Sequence, residues 1–324
     1  MDVGSAESLL ALAEELSLRV TGPDAKSSVD ALEARSHDLT TAIAWFLDAG
    51  RPNDALRLAN ALYRFWITTR RFDEGARWFD RVLEPGAGDE GLRGRAYLSA
   101  GFMPFWLGDD ERAASLFEQA LTIARHRGDA SSISQALGGL ARVALRTDVA
   151  EGRRLAREAF EVSDAEGDDQ GRSNALHLLG VGAQIAGDLL EARDWMRRRL
   201  ALVRAMGNEF LVASEASNLS MVERQLGDLD AAEGLAREAI QISASGSATA
   251  SRRRLRSAVS RQSDSSEAST SVPRRWLAPS RLSWTRPRWP GRLTSARTTS
   301  GCSSPCPSRW APRRSNEAAV LVDP

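Results

Sequence analysis

The sequence predicts an all-α fold, a right-handed superhelical solenoid of helix pairs, and three observations support this prediction. Turn signals recur at intervals of 20, 19, 20, 20, 20 and 20 residues. All but one join Gly, which accepts the left-handed conformation that ends a helix, to an Asp or Asn that can cap the next. The stretches between them, about 17 residues each, are rich in Ala, Leu, Arg and Glu, and two such helices give the period of about 40 residues typical of helical solenoids. The signals are Gly108-Asp109, Gly128-Asp129, Thr147-Asp148, Gly167-Asp168, Gly187-Asp188, Gly207-Asn208 and Gly227-Asp228.

Four further helices are predicted ahead of these signals. The first covers residues 7–19, and the second covers 28–49 with its apolar residues on one face. The third covers 52–70 and starts with a proline, whose fixed backbone angle suits a first turn. The fourth covers 72–83, and the Pro- and Gly-rich segment after it is predicted to be a loop. The helical array therefore begins before the first Gly-Asp signal.

The helix pairs align with one another at four positions. A small residue early in each second helix predicts that the two helices of a pair approach closely, where a larger side chain costs about 1–3 kcal/mol. Arg199 replaces the small residue found at its position in other pairs, which predicts either a side chain extending to solvent or an irregular repeat. The aligned sets are Gly101, Ala113, Phe117 and Ala120, then Gly180, Ala192, Met196 and Arg199, and finally Ser220, Ala232, Ala236 and Ala239.

These positions resemble the tetratricopeptide repeat, with a small residue on the first helix, Gly-Asp at the turn and Ala on the second helix. Upstream, a series of motifs follows in order: Leu32-Glu33-Ala34-Arg35, Asp38-Leu39, Ala42-Ile43-Ala44-Trp45, Ala55-Leu56-Arg57-Leu58-Ala59, Ala61-Leu62, Phe65-Trp66 and Glu74-Gly75-Ala76-Arg77-Trp78. These motifs are similar to the helical arm of large actinobacterial signal-transduction ATPases, including LuxR-type and antibiotic-regulator-like transcription factors. The resemblance covers roughly residues 8–243 and implies a role in effector sensing or partner contact. It also implies a flanking ATPase domain and a helix-turn-helix, neither of which is seen in this sequence.

Composition divides the chain into a helical-repeat domain, residues 1–243, and a tail, residues 244–324. From residue 246 onward there are 17 Ser, 15 Arg, 8 Pro and four acidic residues, which leaves 28 basic and 39 acidic residues before that point. A segment of this composition buries too little apolar surface to offset its ordering entropy, so the tail is predicted to be disordered. Because the repeat stops in mid-period, we also interpret the tail as the product of a frameshift, with a native basic tail as the alternative.

The rest of the composition indicates a cytoplasmic protein. No run of 18 or more apolar residues predicts a membrane helix. Asp2 and Glu7 precede Leu9-Leu10, unlike the basic start of a secretory signal. Both cysteines, Cys302 and Cys306, lie in the tail, and the two of them do not supply the four ligands of a structural zinc site.

No catalytic, cofactor-binding or metal-binding residues are predicted. Residues 86–91 spell G-x-G-x-x-G, but the segment follows a helix, whereas the dinucleotide fingerprint follows a strand. His37, His126 and His177 are far apart in sequence, and a solenoid makes contacts mainly between neighbouring repeats. An enzyme would need a convergent polar pocket, which the sequence does not reveal.

The predicted function is non-catalytic protein–protein interaction or effector sensing, in a fragment or relative of a bacterial transcriptional regulator. A protein, peptide or small effector is expected in the concave groove, with nucleic-acid binding through the basic tail as the alternative. In tetratricopeptide-like arrays the first helix of each pair lines that groove, and in the middle pair Ser134, Leu137, Ala141 and Leu145 are expected to form an apolar floor. The predicted partner-binding residues, counted from the turn signals, are Arg57, Asn60, Arg64, Arg95, Phe102, Trp106, Asn174, His177, Gln184 and Arg224.

Overall fold

The structure, a computed structural model, describes residues 1–20, 25–84 and 86–244. Within these ranges the chain forms thirteen α-helices and no strand, and the predicted all-α fold is confirmed. The predicted tail lies outside the described residues from residue 245 onward, together with both cysteines. The helices are α1 (Val3–Ser17), α2 (Ala25–Glu33), α3 (Ser36–Asp48), α4 (Pro52–Thr68), α5 (Phe72–Leu83), α6 (Glu90–Leu107), α7 (Asp110–Arg127), α8 (Ala130–Ala144), α9 (Val149–Ala165), α10 (Asp169–Ala186), α11 (Leu189–Ala205), α12 (Glu209–Leu226) and α13 (229–244).

The turn signals end and begin helices as the sequence predicts. Gly108 ends α6 in the left-handed conformation, with φ of 83°. The Asp109 side chain then accepts a hydrogen bond from the backbone N–H of Arg112, which caps the start of α7. Arg70 occupies the corresponding turn between α4 and α5, with φ of 58°, and it is the one residue other than glycine with positive φ in the described ranges. Arg70 therefore occupies a backbone conformation that favours glycine.

The predicted second helix, residues 28–49, is divided into two helices. Arg35 leaves helical geometry, with φ of −119° and ψ of 11°, and α3 starts directly after it. Leu32 and Leu39 are both fully buried, but on separate helices. Residues seven apart share a face of a continuous helix, so the apolar pattern alone could not reveal the break.

Glycine and alanine residues let the paired helices approach closely. A Cβ on Gly101 would lie 2.6 Å from Cε1 of the Phe117 ring, and a Cβ on Gly139 would lie 2.6 Å from Cδ1 on the same edge of that ring. Phe117 on α7 is thus held between α6 and α8 and is fully buried. Ala113 and Ala192, the predicted contact positions early in two second helices, are also fully buried. The predicted role of the small residues therefore agrees with the packing.

Candidate binding surface on the first helices

The first helices of successive pairs pack directly on one another, α4 on α6, α6 on α8 and α8 on α10. No comparable packing joins the second helices of adjacent pairs, α5, α7, α9 and α11, within the part of the chain that the structure describes. A stack of helix pairs curves toward the side on which the helices of successive pairs lie closer together. The first helices therefore lie on the inner side of the array, and their exposed faces adjoin.

The exposed faces of the first helices form one surface of fifteen residues with the spacing i, i+3, i+7 on each helix, which we call the first-helix surface. All of its members are exposed or half-buried except His177, which is buried. The spacing keeps each set of three on one side of its helix. The members are Arg57, Asn60 and Arg64 on α4, Arg95, Leu98 and Phe102 on α6, Gln135, Gly138 and Arg142 on α8, Asn174, His177 and Val181 on α10, and Ser214, Ser217 and Met221 on α12.

Seven of the ten residues predicted from the sequence belong to this surface, and the other three lie near the ends of their helices. Trp106 stacks on Phe72 of α5, with ring centroids 6.1 Å apart, and also packs against Phe105. Gln184 is half-buried near the end of α10, and Arg224 is exposed near the end of α12. That any of the ten residues binds a ligand stays a prediction.

The apolar floor expected on α8 is wrong. Its four residues, Ser134, Leu137, Ala141 and Leu145, are all buried in the core, and the Ser134 hydroxyl bonds Ser163 at 2.6 Å. The N-cap residues Asp129 and Asp148 of α8 and α9 are 19 residues apart, whereas the N-cap residues Asp89 and Asp109 of α6 and α7 are 20 apart. Counting back from the turn therefore moved the prediction by one residue.

Counting forward from the helix caps gives the correct register on α8. The N-cap residues Asp89 and Asp129 are 40 residues apart, which matches Arg95 with Gln135 and Phe102 with Arg142. The sequence prediction therefore missed Gln135 and Arg142. The Asp129 cap was visible in the sequence and carried the signal that could have found them.

The charged side chains of the first-helix surface are all basic. The fifteen members include four arginines, Arg57, Arg64, Arg95 and Arg142, and neither Asp nor Glu. Arg57 already pairs with Glu14 of α1, with contacts of 2.8 and 2.9 Å. Arg64 and Arg95 are exposed, and neither has an acidic partner within 4.0 Å among the described residues.

Arg64 and Arg142 act on the same neighbour, Tyr63. Burial raises the pKa of Tyr63 to about 12, and the charges of Arg64 and Arg142 oppose that rise. Both guanidinium groups therefore lie within electrostatic reach of one phenol. The Tyr63 ring also packs on Phe102 of α6, with centroids 5.8 Å apart. Basic and aromatic groups thus adjoin where α4, α6 and α8 meet.

A buried polar cluster lies beneath the surface where α10, α11 and α12 meet. Arg199 is 2% exposed; its Nε donates to the Ser173 hydroxyl at 3.3 Å and its Nη1 to His177 Nδ1 at 3.2 Å. Arg199 Nη1 also bonds Glu215 Oε2, and Glu215 is fully buried. The expectation that Arg199 extends to solvent is therefore wrong, and the alternative of an irregular repeat is correct.

The protonation states of the cluster follow from its geometry. Burial lowers the pKa of His177, and the Arg199 charge lowers it further, while Glu215 acts in the opposite direction. A neutral imidazole can accept the Arg199 hydrogen bond at Nδ1, which places the ring proton on Nε2. Burial raises the pKa of Glu215, but the adjacent Arg199 cation acts in the opposite direction, and that pKa lies below its usual value. Glu215 is therefore a carboxylate paired with the Arg199 cation.

Two open cavities lie away from the first-helix surface. One, of about 810 Å³, lies between α1 and α3 and is lined by Asp2, Arg35, His37 and Asp38 among others. The other, of about 300 Å³, lies where the start of α8 meets the end of α9. Neither is lined by a member of the surface. The described part of the chain holds no cluster of three His, Cys, Asp or Glu side chains suited to a metal ion, and none of its helices has the length and apolar character needed to cross a bilayer.

Comparison with curated proteins connects the chain to bacterial regulators. It is 27% identical over 215 residues to proteins of Mycobacterium tuberculosis and Mycobacterium bovis that are provisionally described as HTH-type transcriptional regulators. The match covers 64% of this chain and 24% of each relative, so the chain spans about a quarter of their length. No family model matches the chain.

Three solved structures share the fold. Rap protein complexed with Competence and Sporulation Factor has a TM-score of 0.58 at 12% identity and covers 69% of this chain and 60% of that chain. BtubC (BKLC) from P. vanneervenii has a TM-score of 0.56 at 17% identity, and the match covers 76% of this chain and 97% of that chain. A Signal Transduction ATPase with Numerous Domains from Pyrococcus horikoshii, with a tetratricopeptide repeat sensor, has a TM-score of 0.51 at 13% identity and covers 75% and 40%. These likenesses show that the chain is a solenoid of tetratricopeptide-like helix pairs.

Proposed function

We propose that the chain is a non-catalytic recognition arm whose first-helix surface binds a partner segment carrying acidic groups. The observation that carries this proposal is the charge of the surface. Arg64, Arg95 and Arg142 stand on three successive first helices, and none of the fifteen surface residues is acidic. The chain up to residue 245 has 39 acidic residues against 28 basic ones, so composition alone would favour carboxylates on this surface. Guanidinium groups bind carboxylates through charge-assisted, often paired hydrogen bonds.

Apolar surface residues next to the arginines favour an amphipathic segment. Leu98 and Phe102 are half-buried on α6, and Val181 and Met221 are half-buried on α10 and α12. An amphipathic helix or an extended peptide places apolar side chains in such positions while its acidic flank meets the arginines. The predicted binding residues Arg57, Asn60 and Asn174 adjoin these groups and belong to the same proposal, whereas the predicted residue His177 is buried and lies beneath them.

We further propose that this arm serves a cytoplasmic bacterial regulator. The description of the mycobacterial relatives and the repeat sensor of the Pyrococcus horikoshii protein support this role. The resemblance to signal-transduction ATPases likewise implies that a helical arm of this kind serves in sensing. The alternative of nucleic-acid binding through the basic tail falls on residues outside the described ranges. For an enzyme, the polar cluster around Arg199 would have to face a substrate, whereas its members are at most 4% exposed.

Selection from a library of random 12-residue displayed peptides tests the binding proposal. We expect the full-length protein to enrich peptides that combine Asp or Glu with apolar residues. Arg64→Glu/Arg95→Glu should weaken capture of those peptides at least tenfold, because it reverses two exposed charges that have no acidic partner within 4.0 Å in the described part of the chain. The matched control is Arg77→Glu/Arg157→Glu, which makes the same charge change at exposed positions of α5 and α9.

The control decides whether the site lies on the first helices. If both double variants lose capture equally, net charge rather than this surface attracts the peptides. Selection without acidic enrichment, or undiminished capture by the folded Arg64→Glu/Arg95→Glu variant, would contradict the proposal. Circular dichroism and the melting temperature confirm that each variant is folded.

A further inference from the structure

The joint between α11 and α12 differs from the two preceding joints between pairs. At equivalent positions the α7–α8 joint has Ala120 and Ala136, which are both buried, and the α9–α10 joint has Ala159 and Ala175, also buried. At the α11–α12 joint this pair is Arg199 and Glu215, again sixteen residues apart. A second pair of opposite charges joins the same helices, since Arg197 of α11 contacts Glu223 of α12 at 2.7 Å.

The layer of first helices is also joined differently at this place. α4, α6, α8 and α10 pack on one another in succession, but α12 does not pack on α10 in this way within the described ranges. Arg199 instead reaches both helices, through Ser173 and His177 on α10 and Glu215 on α12. Hydrogen-bonded side chains therefore connect α12 to α10, whereas the preceding first helices are connected by direct packing of one helix on the next.

A polar joint of this kind holds its geometry without adding much stability. The attraction within a buried ion pair is largely offset by the cost of removing both charges from water. Two carboxylate oxygens here, Glu215 Oε1 and Glu223 Oε2, are buried and have no hydrogen-bond partner. When the joint opens, water can donate hydrogen bonds to these two oxygens, which lowers the free-energy cost of opening. The joints packed through alanine pairs have no buried charges at these positions and gain no such hydration when they open. The joint is thus the one most ready to open among the three compared.

We propose that α12 and α13, residues 209–244, form a movable end of the array that opens as one unit, with the Arg199–Glu215 pair as its latch. The three-residue connection 206–208 between α11 and α12 serves as the hinge, and its Gly207 has φ of 67°. Opening separates α12 from His177, which belongs to the first-helix surface. The end unit therefore sets the width of that surface between α10 and α12. This device goes beyond the proposed binding role, since opening requires no ligand.

Amide hydrogen exchange of the full-length protein, followed by mass spectrometry, tests the proposal. We expect α12 and α13 to exchange together and faster than α8 to α11. Arg199→Met/Glu215→Leu, which keeps the volume but removes both charges, should slow exchange of α12 and α13 at least tenfold. Arg199→Met alone should accelerate their exchange about a hundredfold, because it leaves the Glu215 charge buried without a partner. Slow amide exchange in α6 to α9, unchanged between the wild type and the variants, shows that the remainder of the array is folded.

The matched control is Arg237→Ala/Glu233→Ala, which removes an exposed Arg–Glu pair within α13, where the two atoms are 2.6 Å apart. We expect it to change exchange of the unit by about twofold or less, as for other exposed helix pairs. Ordinary end fraying, with α13 exchanging fast while α12 stays as protected as α10, would overturn the proposal. So would a double variant in which α12 and α13 exchange as fast as in the wild type or faster.

Discussion

Two adjacent glycines of α8, Gly138 and Gly139, should respond in opposite directions to the same substitution. Both lie inside the helix, where Gly→Ala stabilises by roughly 0.5–1 kcal/mol through backbone entropy. A Cβ on Gly138 would meet Leu178 Cδ1 at 3.6 Å, which is ordinary contact. A Cβ on Gly139 would lie 2.6 Å from Cδ1 of the fully buried Phe117 ring, on the edge that also lies against Gly101. The ring also packs on Phe102, with centroids 5.1 Å apart, so it has little room to move away.

The magnitudes follow from these contacts. Gly138→Ala should stabilise the protein by about 0.5–1 kcal/mol, the full helix-propensity gain. Gly139→Ala gains the same amount but overpacks the ring at a cost of roughly 1–3 kcal/mol, so we expect net destabilisation of about 0.5–2 kcal/mol. Adding Phe117→Leu to Gly139→Ala should recover part of the loss, because it frees the volume that the new methyl group needs.

Urea unfolding followed by circular dichroism at 222 nm measures all three variants. The variants should have unchanged slopes, and their midpoints should fall in the order Gly138→Ala, wild type, Gly139→Ala. Equal midpoints for the two alanine variants would refute the packing of Phe117 between α6 and α8. A Gly139→Ala/Phe117→Leu variant that is less stable than Gly139→Ala would refute the argument that the ring is the obstacle.

Two further predictions concern α11 and the buried cluster. Ala192→Glu should destabilise the array by about 3 kcal/mol or more, because it places a charge and extra volume where α10 and α11 touch. The control Ala201→Glu, on the exposed side of α11, should be near neutral. Comparable melting temperatures for the two variants would contradict the register of the repeat. Burial lowers the pKa of His177 from 6.5, so the unfolded chain binds the proton more tightly and stability falls as the pH drops below about 6.5. Between pH 7.5 and 5.5 the urea midpoint should fall more for the wild type and for His37→Gln than for His177→Gln, and an equal fall in all three would show that His177 is not responsible.

The sequence by itself determined the repeat and its turns, because those depend on local chemistry. Glycines at left-handed turns, Asp caps and the small residues at helix contacts act through a few neighbouring residues, so they can be recognised in order along the chain. The spacing of the exposed face on α4, α6 and α10 could be predicted for the same reason. Arg57, Arg64 and Arg95 were found in this way.

Only the tertiary structure decided the features that depend on contacts between helices. The spacing from the cap of α8 to the cap of α9 is one residue shorter than in the preceding pair. Counting back from the turn therefore predicted a floor from residues that lie in the core, and it missed Arg142 on the surface. Arg199 looked like an exposed cation, because a single sequence position does not show that Glu215, sixteen residues later, lies opposite it. A buried charge is tolerated only when its partner and hydrogen bonds are positioned by the fold, and that positioning is a property of three packed helices rather than of any one segment.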